Sequence, residues 1–129
     1  MTNINYGYAM VSRVIRVIDG DSFICDLGGN VRNPGTADNY FLRALLSGIT
    51  IRLSRINAPE INSVNKDEAF KALLAQTELS NLLKAAQTIR LTAIRRDKYF
   101  RLNAEVWVNN DINVNDWMVI NSTASYLRP

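Results

Sequence analysis

The sequence predicts an α+β domain: a five-stranded β-barrel, with one long helix between its third and fourth strands and a short helix after the fifth. Three observations carry this. Runs rich in β-branched residues recur along the chain, separated by Asp-Gly, Gly-Gly and Asn-Asn turn signals. One long stretch with helical spacing interrupts them, and it falls after the third run. With 129 residues, the chain makes one domain large enough to bury a core without disulfides.

Residues 11–18 (VSRVIRVI) alternate as a strand, Asp19-Gly20-Asp21-Ser22 turns the chain, and residues 23–27 return as a second strand. Gly28-Gly29-Asn30 turns it again. Residues 33–47 open as a loop (NPGTADN) and run into an apolar YFLRALL that fits a short helical turn. In the third strand Ile49, Ile51 and Leu53 share one face, with Thr50, Arg52 and Ser54 on the other. Asn57-Ala58-Pro59-Glu60 ends it, because Pro59 removes a ladder donor and holds Ala58 extended. Residues 65–86 form the long helix, opened by Asn65 or Lys66, with Asp67 and Glu68 suited to its N-terminus. Phe70, Leu73, Leu74, Thr77, Leu82 and Leu83 supply its apolar stripe. Residues 88–94 make the fourth strand, 95–101 a polar loop and 102–108 the fifth strand. Asn109-Asn110-Asp111 then turns into a helix around 114–120. A helix between strands three and four is the order of an OB-type barrel.

Composition narrows the chemistry. The chain is 47% apolar and 21% charged, which excludes a disordered protein. Histidine is absent, which removes serine–histidine hydrolases, imidazole-based ribonucleases and most zinc sites. Cys25 is the lone cysteine and sits in an apolar stretch, so it reads as a small core residue with no histidine to activate it. Hydrolysis here must rest on carboxylates, arginines, tyrosines and a hard metal ion. The charged residues include eleven arginines against four lysines, with a net charge of +3. Arginine's planar fork suits bidentate phosphate contacts, although arginine-rich surfaces also occur in proteins that touch no nucleic acid. Residues 1–10 lack a basic region followed by an apolar run, and no stretch reaches membrane-spanning length. The expected location is therefore the cytoplasm, with no membrane partner.

Four separated pieces could carry chemistry: Asp19-Gly20-Asp21, Arg52, Asn57-Ala58-Pro59-Glu60, and the charged loop at 95–101. Taken singly, each has an ordinary structural reading: a tight turn, a solvated arginine, a strand-ending turn and a hairpin loop. Together, V-I-D-G-D-S at 17–22, I-R-L-S-R-I-N-A-P-E at 51–60 and D-K-Y-F-R at 97–101, with V-N-D-W-M at 114–118, resemble the staphylococcal nuclease (thermonuclease) family. The resemblance runs from about Val11 to Tyr126. It implies a five-stranded OB-fold of the staphylococcal nuclease type and a metal-dependent hydrolysis of DNA, RNA or both, with little sequence preference, leaving 3′-phosphates. Calcium is the implied ion, with other divalent ions as alternatives. Asp21 matches a calcium ligand, Arg52 and Arg101 match the two phosphate contacts, and Glu60 matches the residue that orients or activates water. Lys98 and Tyr99 match residues bordering the nucleotide pocket, and Tyr126 matches a pocket tyrosine once a gap is allowed. Calcium accepts a carboxylate, a backbone carbonyl and waters in a tolerant geometry, and Ala58, held extended by Pro59, is suited to offer its carbonyl.

The chain also departs from the family. Asn57 stands where an aspartate normally supplies a second metal-binding carboxylate, so one negative charge is lost and weaker or shifted metal binding is expected. Arg52 follows Asp21 by 31 positions, further than usual, and the extra residues fall within 28–47. That insertion is expected to be a flap over the cleft, a surface for a protein partner or second copy, or a loop pinned by Phe41 and Leu45. The family commonly continues into another helix beyond the position of Pro129. Tyr6, Tyr8 and Tyr40 have the chemistry to stack on bases, though such residues more often pack on the barrel. The rival to an enzyme is a binding module of the same fold, disarmed at Asn57, that takes nucleic acid or a protein. A third reading, a small inhibitor or assembly protein docking through YFLRALL, leaves the four-part site unexplained.

Overall fold

The computed structural model describes residues 8–28 and 46–128. Residues 29–45, most of the expected insertion including Phe41 and Leu45, lie outside the described residues, as do Tyr6 and Tyr40. The elements are β1 (Ala9–Asp19), β2 (Ser22–Leu27), β3 (Ile49–Leu53), β4 (Ile56–Asn57), α1 (Lys66–Ala85), β5 (Ile89–Arg96), β6 (Leu102–Val108), β7 (Ile112–Asn113), α2 (Val114–Asn121) and β8 (Ser125–Tyr126).

The strands β3-β2-β1-β5-β6 pair antiparallel in that order, and β3 then pairs with β6 in parallel. That last pairing closes a five-stranded barrel, with α1 between its third and fourth strands as the sequence predicts. Alternation does the sorting. Phe23 and Cys25, Ile51 and Leu53, Leu91, and Val106 and Val108 point inward and are buried. Burial pushes the Cys25 thiol up to about 12, which leaves it a neutral core group as expected. The short β7 extends the sheet beyond β6, and β4 pairs with β8, bringing the end of the described chain back beside Asn57. Sequence periodicity shows none of these two-residue strands.

The buried face of α1 differs from the expected stripe. Leu83 is buried and Leu82 packs on the core as expected, but Phe70, Leu73, Leu74 and Thr77 are exposed, and the helix buries Ala72, Ala75 and Leu79 in their place. The reason is a close approach. A Cβ built on Gly20 would lie 2.5 Å from the Cβ of Ala75 and 2.9 Å from that of Ala58. The helix rides so near the β1–β2 turn that alanine is the largest residue its inner face accepts there. Asn65 caps α1 by accepting the Glu68 N–H at 3.0 Å, matching the expected start.

One polar side chain is wholly buried at the closing pair. Asn115, on α2, accepts the Val106 N–H at 2.9 Å and donates to the carbonyls of Ser54 at 2.9 Å and Ala104 at 3.0 Å. It satisfies backbone groups from β6 and from the turn after β3, and so ties α2 to both strands of the closure. Asn115→Ala leaves the Val106 N–H and the Ser54 carbonyl without a partner, while the Ala104 carbonyl keeps the Ser54 N–H at 3.0 Å, so a loss of about 2–3 kcal/mol is expected. Urea unfolding checks this; an unchanged midpoint would show that the plug is dispensable.

Candidate active site

The β1–β2 turn delivers Asp21 to one end of the barrel, where it is only 7% exposed. Its backbone is fixed from both sides: its N–H donates to Asp19 Oδ1 at 3.0 Å, and its carbonyl accepts the Leu53 N–H at 2.8 Å. Asp21 Oδ2 accepts the Ala58 N–H at 2.8 Å and lies 3.6 Å from Arg52 Nη2. Arg52 Nη1 donates to its neighbour's carbonyl, Leu53 O, at 2.7 Å, while Nη2 donates to Asn57 Oδ1 at 2.9 Å. The guanidinium therefore bridges the aspartate and the asparagine. Asp21, Arg52, Asn57 and Ala58, drawn from three separate stretches of sequence, form one bonded cluster.

Charge is unevenly shared in it. Burial, then the adjoining Asp19 carboxyl, push Asp21 up to about 6, although the Ala58 N–H and Arg52 pull the other way. For Asp19, burial is the largest influence and would raise it. The hydrogen bonds it accepts from the Asp21 carboxyl, the Ser22 hydroxyl and the Asp21 N–H, helped by Arg52, outweigh that and hold it below its ordinary range. Asp21 thus retains the proton of the pair.

The remaining residues stand around this cluster. Glu60 is exposed, its N–H donates to Glu68 Oε2 at 3.1 Å, and its own carboxylate has no hydrogen-bond partner among the described residues. The D-K-Y-F-R loop is organised by Asp97, which accepts the N–H groups of Tyr99 at 2.8 Å and Arg101 at 3.0 Å, and pairs with Arg101 Nε at 2.8 Å. Burial would raise Asp97, but these bonds and the Arg101 charge hold it below its usual range. Arg101 keeps both terminal nitrogens unbonded among the described residues, its guanidinium lies 5.1 Å from the centre of the Tyr99 ring, and Lys98 Nζ lies 5.2 Å from the same centre. Arg52 pairs in register with Asn103, so Arg101, two positions earlier, continues the row on the Arg52 side of the sheet. No bond joins Arg101 directly to the Asp21 cluster.

Tyr126 is placed differently. It sits opposite Ile56 beside Asn57, but its hydroxyl donates to Asp116 at 2.9 Å and its ring lies 5.9 Å from Arg55, itself paired with Glu105 at 2.7 Å. The bond to Asp116 holds the phenol above its ordinary range. Tyr126 is anchored to a structural ion-pair network at the rim.

Two contributors lay within the sequence motifs without a role assigned to them, and a third was missed. Asp97 and Asp19 are the quiet members of their motifs; an aspartate two residues before an N–H it must cap was the available signal. Asn103, facing both Arg52 and Arg95 in register, buries an Oδ1 that has no partner, and no local pattern announces that.

The side-chain oxygens gathered here are hard: the Asp21 and Asp19 carboxyls and the Asn57 amide. They suit calcium or magnesium and offer nothing to a soft metal. The set is lean, for among the described residues no three histidine, cysteine or acidic side chains gather as a metal cluster.

Residues 50–128 match the family of staphylococcal nuclease homologues. A protein described as an uncharacterized endonuclease from Escherichia coli O157:H7 is 31% identical over 108 residues, covering 83% of this chain and 54% of the relative. A protein of the same description from Escherichia coli gives the same 31% identity and coverage. The chain spans about half the length of these curated relatives.

The buried Asp21 carboxyl has a consequence for stability. Its folded value of about 6 exceeds its ordinary 3.8, so burial costs nothing below pH 3.8, where the group is protonated folded or unfolded. The cost grows as pH rises to about 6 and is complete above it. In EDTA at pH 8, Asp21→Asn is therefore expected to stabilise the fold by on the order of 2 kcal/mol, with a gain that fades towards pH 4. Thermal melts across pH test this, and a pH-independent difference would refute it.

Proposed function

The chain belongs to the family of staphylococcal nuclease homologues, and on that premise we propose that it is a metal-dependent nuclease hydrolysing phosphodiester bonds in DNA, RNA or both. The observation that carries this reading is the convergence of Asp21, Arg52, Asn57 and Ala58 into one bonded cluster, with Arg101 on the same side of the sheet. The relatives' description as endonucleases supports it.

Asp21, Asn57 and the Ala58 carbonyl would hold the ion, with water completing its shell; a calcium or magnesium ion bound there supplies Lewis-acid chemistry at the phosphate. Arg52 is already tethered through Leu53 and Asn57, so its remaining N–H groups reach a phosphate without first losing freedom. Arg101, held by Asp97 through Nε, presents its two terminal nitrogens. As phosphorus becomes five-coordinate, both guanidiniums bond its equatorial oxygens more strongly, a contribution of roughly 3–4 kcal/mol each. The Glu60 carboxylate, exposed and uncommitted, orients the attacking water and accepts its proton. The new bond forms from water oxygen to phosphorus, the bond to the 5′-oxygen breaks as that oxygen takes a proton from solvent, and the phosphate remains on the 3′ side. The Tyr99 ring, 63% exposed, offers a stacking face for a base. Among the described residues no element has the form of a base-reading helix or a zinc module, which accords with low sequence preference.

A second reading rests on Asn57. Its single acceptor oxygen is engaged by Arg52, leaving Asp21 as the one carboxylate beside the proposed ion. A module that binds a strand without cutting it fits that arrangement.

Cleavage of single-stranded DNA, duplex DNA and RNA with calcium, magnesium, manganese or EDTA separates the two readings. The nuclease reading expects metal-dependent cutting that EDTA abolishes, that Glu60→Ala abolishes, and that Arg52→Lys or Arg101→Lys slows by about two to three orders of magnitude. Strands bound intact in every metal would establish the binding module instead. Asn57→Asp is expected to tighten calcium binding by about tenfold or more in calorimetry, and unchanged affinity would remove Asn57 from the site.

A further inference from the structure

A second surface on this barrel has the form of a strand-binding groove. The helix α1 runs back along β1 from the β1–β2 turn, and the two enclose a pair of adjoining hollows of about 420 Å³ and about 280 Å³ that share Lys84. The larger is lined by Arg16, Gln76, Ser80, Asn81 and Lys84, with the exposed Ile15 on its β1 side. The smaller continues past Arg13 to Gln87. Cations and neutral hydrogen-bonding groups alternate along it, and no carboxylate lines either hollow. Arg13 is already paired with Asp26 at 3.1 Å, whereas Arg16 and Lys84 have no acidic partner among the described residues. One end of the groove abuts the candidate active site: Gln76 donates to the carbonyls of Val17 at 3.3 Å and Ile18 at 3.1 Å, just before Asp19, and Ala75 touches Gly20.

We infer that this β1–α1 groove binds the backbone of a single-stranded polynucleotide beyond the bond being cut. The inference rests on the reading above that the substrate is a nucleic acid. A groove with cations and amides but no acid suits a linear polyanion, and its end beside the Asp21 turn gives that polyanion a direction. The helical wall from Gln76 to Ala85 is about 14 Å long at 1.5 Å per residue. That accommodates roughly four nucleotides at the stacked spacing of about 3.4 Å. Arg16 and Lys84 contact phosphates, and Ser80 and Asn81 bond phosphate or sugar oxygens between them. Long strands are therefore held at the cutting site and in the groove, and short ones at the cutting site alone.

The test is fluorescence anisotropy of labelled four- and twelve-nucleotide strands, DNA and RNA, with the full chain in EDTA across a salt series. The variant is Arg16→Gln/Lys84→Gln, and Lys66→Gln/Lys71→Gln, elsewhere on α1, matches its charge change. All four side chains are exposed, and far-ultraviolet dichroism verifies folding. The groove predicts that Arg16→Gln/Lys84→Gln weakens the twelve-nucleotide strand on the order of tenfold. It also predicts a salt slope lower by about 1.4, with the four-nucleotide strand and the control variant unaffected. If the variant binds the longer strand as the unaltered chain does, or the control loses as much, the groove is overturned while the nuclease reading stands. If the unaltered chain binds neither length, the groove is overturned, and the nuclease reading is decided separately by the cleavage assay with metal.

Discussion

The parallel pairing of β3 with β6 is the constraint on which the rest of this molecule depends. Without it the strands form an open twisted sheet with two bare edges; with it they form a barrel with an inside. Parallel neighbours cannot be joined by a tight turn, so a long connection between them is obligatory, and α1 and β5 occupy it. The same pairing sets Arg52 opposite Asn103 and so brings the loop that carries Arg101 to the end of the barrel where Asp21 emerges. Closure and site are thus one event. Asn115 secures it from behind by bonding backbone groups on both sides of the seam.

Closure also explains why the site carries strained electrostatics. The β1–β2 turn is covered by α1 on one side and the Ala58 turn on the other, and Gly20 leaves room for neither to retreat. Asp21 is buried by that crowding, and burial is the largest influence on its carboxyl. Arg52 compensates in part, but at 3.6 Å it stands nearer to Asn57 than to the aspartate. A buried carboxyl short of positive charge stabilises the fold least when ionised, and an added cation would gain most there. The position that costs stability is the position at which a hard ion would be bound.

Much of this was legible in the sequence because it is local. Alternation located β6 to the residue and found β3, though the turn at 54–55 ends it at Leu53, before the expected stop at Asn57; the Asn65 cap marked the start of α1, and a Gly between two acids marked the turn that holds Asp21. What local patterns could not show were contacts between distant segments. The inner face of α1 is set by its distance from Gly20, so small alanines are buried while Phe70, Leu73 and Leu74, the obvious stripe, face solvent. The β4–β8 pairing joins residues some seventy positions apart through two-residue strands too short to have a period. Tyr126 matches a pocket tyrosine by motif, yet Asp116 and Arg55 engage it. Of the site residues, those brought in by turns were readable; Asn103, which depends on the closure register, was not.

Asn57 shows how a single atom divides between two tasks. Its oxygen accepts Arg52 Nη2 at 2.9 Å, a neutral acceptor for a charged donor. A carboxylate at that position would give the guanidinium a second anion beside Asp21 and hold it more firmly, because an ion pair adds the attraction of two full charges to the hydrogen bond. It would also compete for any ion at Asp21 by adding a hard, charged ligand. The amide does neither strongly. It positions Arg52, which also lies 3.6 Å from Asp21, without adding a second anion. On the proposed reading the asparagine would shift the burden of phosphate recognition from metal towards arginine, and the abundance of arginine over lysine in the chain is consistent with that division.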